Sequence, residues 1–231
     1  MILLDLKQRK VWNEQHRLLT AIISKPEEHS RATELFISQH SLLHSPSILE
    51  TYQTTLEDEL LRDLDEKVFR HDPTPNPDTN NSIAWHLWHI ARIEDMTMNI
   101  LVATESQVLF EENWLEKMNI DYIHSGNDMS EKDIALMSSR IEMKQLVAYR
   151  RAVGKRTQQV VSKLKPGQFK EKVEQERIGQ LFKENAVSQN SKWLAEYWSK
   201  KTIAGLILMP ATRHNFLHLN KCIRIKERLR K

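Results

Sequence analysis

From Ile83 to about Thr104 the chain places apolar side chains around almost the whole circumference of a helix. Trp85, Trp88, Ile90, Ile93, Met96, Met98, Ile100 and Leu101 leave no broad polar face. A surface helix needs one apolar stripe, whereas a helix apolar on all sides has to be enclosed by other elements. This segment is therefore expected at the centre of the fold, with Asn81-Ser82 capping its start.

The rest of the chain offers helices to enclose it and no alternating strand pattern. Leu3 to Ser24 carries Leu6, Val11, Leu18, Leu19, Ile22 and Ile23 at loosely helical spacing; Pro26 interrupts, and a second segment runs from Glu27 to about His44. Ser45-Pro46-Ser47 reads as a turn before a helix from Ile48 to about Val68. The prolines at 73, 75 and 77 make the stretch from His71 to Asp78 a loop, either within the domain or as a wall near a site. The signal weakens from Glu105 to Met129, with Gly126-Asn127-Asp128 as a loop. Ser130 opens a long helical pattern towards Leu164, with a break expected near Ser138-Ser139 and a stop at Pro166-Gly167. Helices then follow over about 173–186 and 191–200, and a final one over 211–229 after a break at Met209-Pro210. No repeat or linker divides the chain, so a single helical domain over 1–231 is expected.

Only 5 glycines and 7 prolines among 231 residues, with 40% hydrophobic residues, suit a compact helical protein. The net charge of +3 comes from 34 basic and 31 acidic residues, which argues against a nucleic-acid binder with a dedicated basic face. The basic tail from Arg224 to Lys231 reads as favourable charge at a helix C-terminus. The lone Cys222 excludes an intramolecular disulfide, the N-terminus lacks a signal-peptide layout, and the longest apolar run, Ile203 to Met209, is too short for a bilayer. A cytoplasmic chain with no membrane partner is expected.

Histidine is the residue type that carries chemistry here. His214 and His218 are four apart, so their imidazoles share one helix face and can chelate one ion. Cys222 continues that face. Ten histidines make such a spacing common by accident, and His40 and His44 repeat it. In Trp85-His86-Leu87-Trp88-His89 the two histidines are three apart within the apolar helix, where a polar ring needs a partner. Spacing alone does not choose between His86 and His89.

The run Ser82-Ile83-Ala84-Trp85-His86-Leu87-Trp88-His89-Ile90-Ala91-Arg92-Ile93-Glu94-Asp95 resembles the first signature of the DinB-like (YfiT-like) metalloenzyme superfamily. Arg213-His214-Asn215-Phe216-Leu217-His218 resembles its second. The resemblance implies an all-α four-helix bundle over 47–222, with residues 1–45 as a helical N-terminal extension. It also implies a divalent metal, Zn or Ni, held by His89, His214 and His218 beside an open position, with His86 the alternative first ligand. His40 and His44 match no motif of this family and are expected as surface or packing residues.

Three neutral imidazoles leave the ion its full charge, which activates water or a thiol near neutral pH. The expected function is a metal-dependent enzyme acting on a small molecule, either a hydrolase or a thiol-dependent transferase. For the transferase, the resemblance implies a low-molecular-weight thiol such as bacillithiol or mycothiol as co-substrate. No catalytic residue beyond the ligands is assigned. Arg92 and Arg213 are candidates to hold an anionic substrate, with an ion pair to a bundle carboxylate such as Glu94 as the alternative for either. Glu94 is a candidate to orient a ligand imidazole. Cys222 is a candidate fourth ligand or redox-sensitive neighbour, against a plain buried residue. Trp193 and Trp198 are expected in the core, with a role lining a pocket as the alternative. The resemblance further implies a possible homodimer. The competing reading is a non-catalytic helical scaffold or stress-associated interaction protein with a structural metal site or none.

Overall fold

The computed structural model describes residues 6–44, 54–71 and 81–230. The turn at Ser45-Pro46-Ser47, the first part of the helix expected from Ile48, and the proline-rich stretch from Asp72 lie outside the described residues.

Helix α1 spans Leu6–Ile22 and α2 spans His29–Ser41, with a 3₁₀ turn at Pro26–Glu28 between them. The helix expected to reach Val68 is divided into α3 (Leu56–Leu61) and α4 (Glu66–Arg70). The division follows from backbone chemistry: Asp63 takes a left-handed φ of 52°, and the Asp65 side chain accepts from Lys67 N as a new N-cap. At its start, α3 has a full capping box between Thr55 and Asp58. Lys226 donates to the carbonyls of Glu59 (3.0 Å), Leu60 (2.8 Å) and Arg62 at this elbow. Thus one charge of the basic tail caps a different helix from its own.

Helix α5 spans Ile83–Asp95, with Ser82 Oγ accepting from Trp85 N at 3.0 Å. It passes into a π-helical segment, Met96–Ala103, that ends at Thr104 with φ 59°. The weakly patterned stretch that follows contains a 3₁₀ turn at Val108–Phe110 and α6 (Trp114–Met118). Next come α7 (Glu131–Arg140), with a Ser130–Asp133 capping box, and α8 (Met143–Lys163); the break between them falls at Ile141-Glu142. Helices α9 (Gln175–Lys183), α10 (Lys192–Ser199) and α11 (Ile203–Leu208) follow. Pro210 does not break the chain as expected. A π-helical segment, Met209–His214, carries α11 directly into α12 (Asn215–Leu229). The wider turn accommodates a residue that lacks an N–H and crowds the preceding carbonyls. Among the described residues there is no strand, only an isolated antiparallel bridge between Lys172 and Thr202. No helix among them is long and apolar enough to cross a membrane.

Every residue of α5 is buried, packed against α8, α12 and the π segment before α12. The apolar interior divides along it. Trp85, Leu87 and Trp88 join Leu146, Tyr149, Phe216 and Ile223 in one cluster, whereas Ile93 and Met96 join Leu19, Phe36, Trp198 and Leu206 in another. Each large side chain removed from water in this way contributes roughly 1.5–3 kcal/mol before entropy is charged against it. Where the clusters meet, α5 turns Arg92, Glu94 and Asp95 into the interior. Trp198 is buried, but Trp193 is 55% exposed, contrary to expectation. Five residues rotate a helix by about 140°, so the two indoles cannot share a face.

Candidate metal centre

Helix α5 presents His89 towards α12, and its ring is fixed from two sides. Trp85, one turn earlier, stacks on it with centroids 4.5 Å apart and planes 9° apart. His89 Nδ1 donates to the carbonyl of Ser125 at 2.6 Å, which leaves the Nε2 lone pair for a ligand. That carbonyl can approach because the next residue is Gly126. Its φ is +79°, and a Cβ there would lie 2.4 Å from Trp88. The close approach of loop to helix is therefore reserved for glycine.

His214 closes the π segment and His218 lies one turn into α12, both half-buried. The π segment is held by side chains from both ends of the chain. Asn215 Nδ2 donates to Pro210 O (3.1 Å), Thr212 Oγ1 to Ile207 O (3.0 Å), and His16 Nε2 of α1 lies 3.1 Å from Leu208 O and 3.0 Å from Thr212 Oγ1. Trp12 of α1 stacks on Phe216 with centroids 3.9 Å apart. The N-terminal helix thus supports the segment that aims His214.

One ligand atom each from His89, His214 and His218 can be chosen so that all lie within 4.8 Å of one another. Ring centroids are 5.0 Å apart for His89 and His214, 5.1 Å for His89 and His218, and 4.4 Å for His214 and His218. His86 lies outside this group; its Nδ1 is 2.9 Å from His218 Nδ1. With the proton of that contact on His218, the Nε2 of His218 has its lone pair free. Among the described residues His214 Nδ1 has no hydrogen-bond partner. Burial lowers the pKa of His89 to about 4 and those of His214 and His218 well below 6.5, with neighbouring imidazoles adding to the latter two. The rings are therefore neutral near pH 7, which is the ligating form. Three neutral nitrogen donors, one with its tautomer set by a carbonyl, fit a divalent first-row cation.

The other candidate residues are placed differently. Arg92 is fully buried and faces the interior: Nη1 reaches Asp95 Oδ2 (2.9 Å) and Tyr149 OH (2.8 Å), and Nη2 reaches Ile123 O (2.7 Å) and Gln107 Oε1. Its carboxylate partner is Asp95, not Glu94, and a substrate clamp is not the task this geometry gives it. Arg213 donates to Asn13 and lies over the rings of Trp12 and Phe216 (5.9 and 5.7 Å). It lines a cleft of about 560 Å³ with Asn13, His16, Arg17 and Thr20.

Glu94 does not orient any of the three grouped imidazoles. Its Oε1 accepts from His40 Nε2 at 2.7 Å and its Oε2 from Asn215 Nδ2 at 2.9 Å. Of the two expectations for His40 and His44, surface or packing, it is packing that holds: both are buried beside α5. Burial opposes the charge on Glu94, but the two imidazoles hold its carboxyl well below the usual carboxylate range. Cys222 is buried in the apolar cluster, and burial pushes its thiol up to about 12, so it stays protonated. Ser125 and Gly126 could not be singled out from the sequence, where only the turn composition of 126–128 was visible.

The sequence model of the DinB superfamily matches residues 50–220. No curated protein matches the chain. The match covers most of the chain and both histidine segments, and the chain belongs to the DinB superfamily.

Proposed function

We propose that this DinB-superfamily chain is a metal-dependent enzyme that acts on a small molecule at His89, His214 and His218. The observation that carries the reading is the convergence of three neutral imidazoles from segments more than a hundred residues apart, one sealed and two mostly buried. A divalent cation there supplies a Lewis acid that makes water or a thiol nucleophilic near neutral pH. The chain's own residues do the rest. Ser125 O fixes the His89 tautomer, His86 orients His218, and the residual exposure of His214 and His218 marks the side from which a small molecule would approach. Zinc and nickel both suit nitrogen donors, and a hydrolase or a thiol-dependent transferase follows from which nucleophile is admitted.

Cobalt substitution tests the reading, because Co²⁺ reports its coordination in the visible spectrum. Azide or a small thiol is expected to change the absorption of cobalt-loaded wild type, and His218→Ala is expected to lose that ligand-responsive absorption. A cobalt spectrum indifferent to azide, thiols and small anions would mean a closed site and would favour the scaffold reading.

A further inference from the structure

We infer that His40, His44 and Glu94 form a second divalent-cation site, closed to solvent and separate from the triad. Glu94 follows His89 by five residues, so it leaves α5 about 140° away from it. One ligand atom from each of His40, His44 and Glu94 lies within 4.8 Å of the others, and all three residues are buried. His40 lies in the last turn of α2 and His44 just beyond its end, with ring centroids separated by 4.4 Å.

His44 supplies the independent observation. It is 1% exposed, yet among the described residues neither of its ring nitrogens has a hydrogen-bond partner. Its Nε2 faces Glu94 Oε2 at 3.5 Å, too far for a good hydrogen bond and suited to an ion between them. The fold makes room for this ring: a Cβ on Gly154 of α8 would lie 2.8 Å from His44 Nδ1. A buried polar ring with no well-formed hydrogen bond is costly, and an apolar side chain would fill the same space without that cost. Two imidazoles and a carboxylate are a donor set for zinc-like cations, and they leave the site one net positive charge.

The surroundings permit loading. Arg150, the nearby cation on α8, is neutralised by Glu57 at 2.7 Å. Gln158 Nε2 lies 3.3 Å from His40 Nδ1 and 2.9 Å from Ser41 Oγ. As arranged, it donates to His40 Nδ1, and His40 Nε2–H donates to Glu94. Loading moves the His40 proton from Nε2 to Nδ1 and turns the Gln158 amide, so that its oxygen accepts from Nδ1–H and from the Ser41 hydroxyl, which swings away from Ile37 O, its acceptor at 2.7 Å. Because the site is sealed, the ion enters during folding and leaves slowly.

The test is the zinc content of full-length, untagged chain from zinc-supplemented cells, before and after prolonged dialysis against EDTA. Wild type is expected to hold about two ions per chain and to keep about one. His44→Ala should hold about one and keep none, while His214→Ala holds about one and keeps it. Gly154→Ala, which retains every ligand, should behave like His44→Ala and serves if that variant does not fold. Wild type that holds a single ion, lost in His214→Ala and unaffected by His44→Ala, overturns this site and leaves the triad. A single EDTA-resistant ion lost in His44→Ala but kept in His214→Ala upholds this site and refutes the triad. Wild type without zinc, even after refolding with excess zinc, overturns both.

Discussion

Gly126 is the residue on which the aim of His89 depends. Its left-handed backbone and its closeness to Trp88 bring the Ser125 carbonyl within 2.6 Å of Nδ1. Gly126→Ala is expected to cost about 1–3 kcal/mol of stability and to weaken metal binding about tenfold through the displaced carbonyl. Urea denaturation and chelator competition check the two effects separately. His89 itself ties stability to pH. Burial holds its pKa near 4, against 6.5 unfolded. The folded state therefore favours the neutral ring, and its stability is complete above pH 6.5. Between pH 6.5 and 4 the unfolded chain takes up a proton that the folded chain refuses, so metal-free protein loses about 1.4 kcal/mol per pH unit from this group. His214 and His218 shift in the same direction and steepen the loss. Urea midpoints of the metal-free chain at pH 7.5, 6 and 5 should fall in that order; a constant midpoint would show that the rings are not buried neutral.

At the scale of elements, the sequence made α5 legible because an all-round apolar helix has no other place than the centre. The π segments were not legible. Pro210 reads as a break, and only the bonds from Asn215, Thr212 and His16 show how the chain continues through it. Likewise Asp63 lies in an otherwise regular pattern, and nothing in the spacing announces its left-handed turn. Asp95 organises the segment after α5, accepting from Asn99, Val108 N, Leu109 N, Tyr149 and Arg92. Asp95→Ala strands the buried Arg92 charge and is expected to cost about 3–5 kcal/mol. Thermal denaturation of the metal-free variant measures this; a loss near zero would show that the network is rearranged rather than broken.

At the scale of the molecule, residues 1–45 are expected from sequence as an extension, but α1 and α2 supply parts of the interior. Trp12 lies on Phe216, His16 on the π segment and His40 on Glu94. Long-range placements of this kind leave no local signature, which is why the triad's histidine segments were visible in the sequence and their supports were not. Trp12→Ala is expected to cost about 3–5 kcal/mol and to loosen the segment that aims His214. A shifted cobalt spectrum at full metal content would show the second effect, and an unchanged spectrum would confine Trp12 to packing.

The central claim is that histidines from α5 and from the start of α12 share one exchangeable ion. Competition with a zinc chelator measures it most directly, on wild type, His89→Ala and His214→Ala. Each substitution is predicted to weaken the EDTA-labile zinc by more than about a hundredfold, and the two together to do little more than either alone. Retention of that ion at wild-type affinity in either single variant would contradict the account.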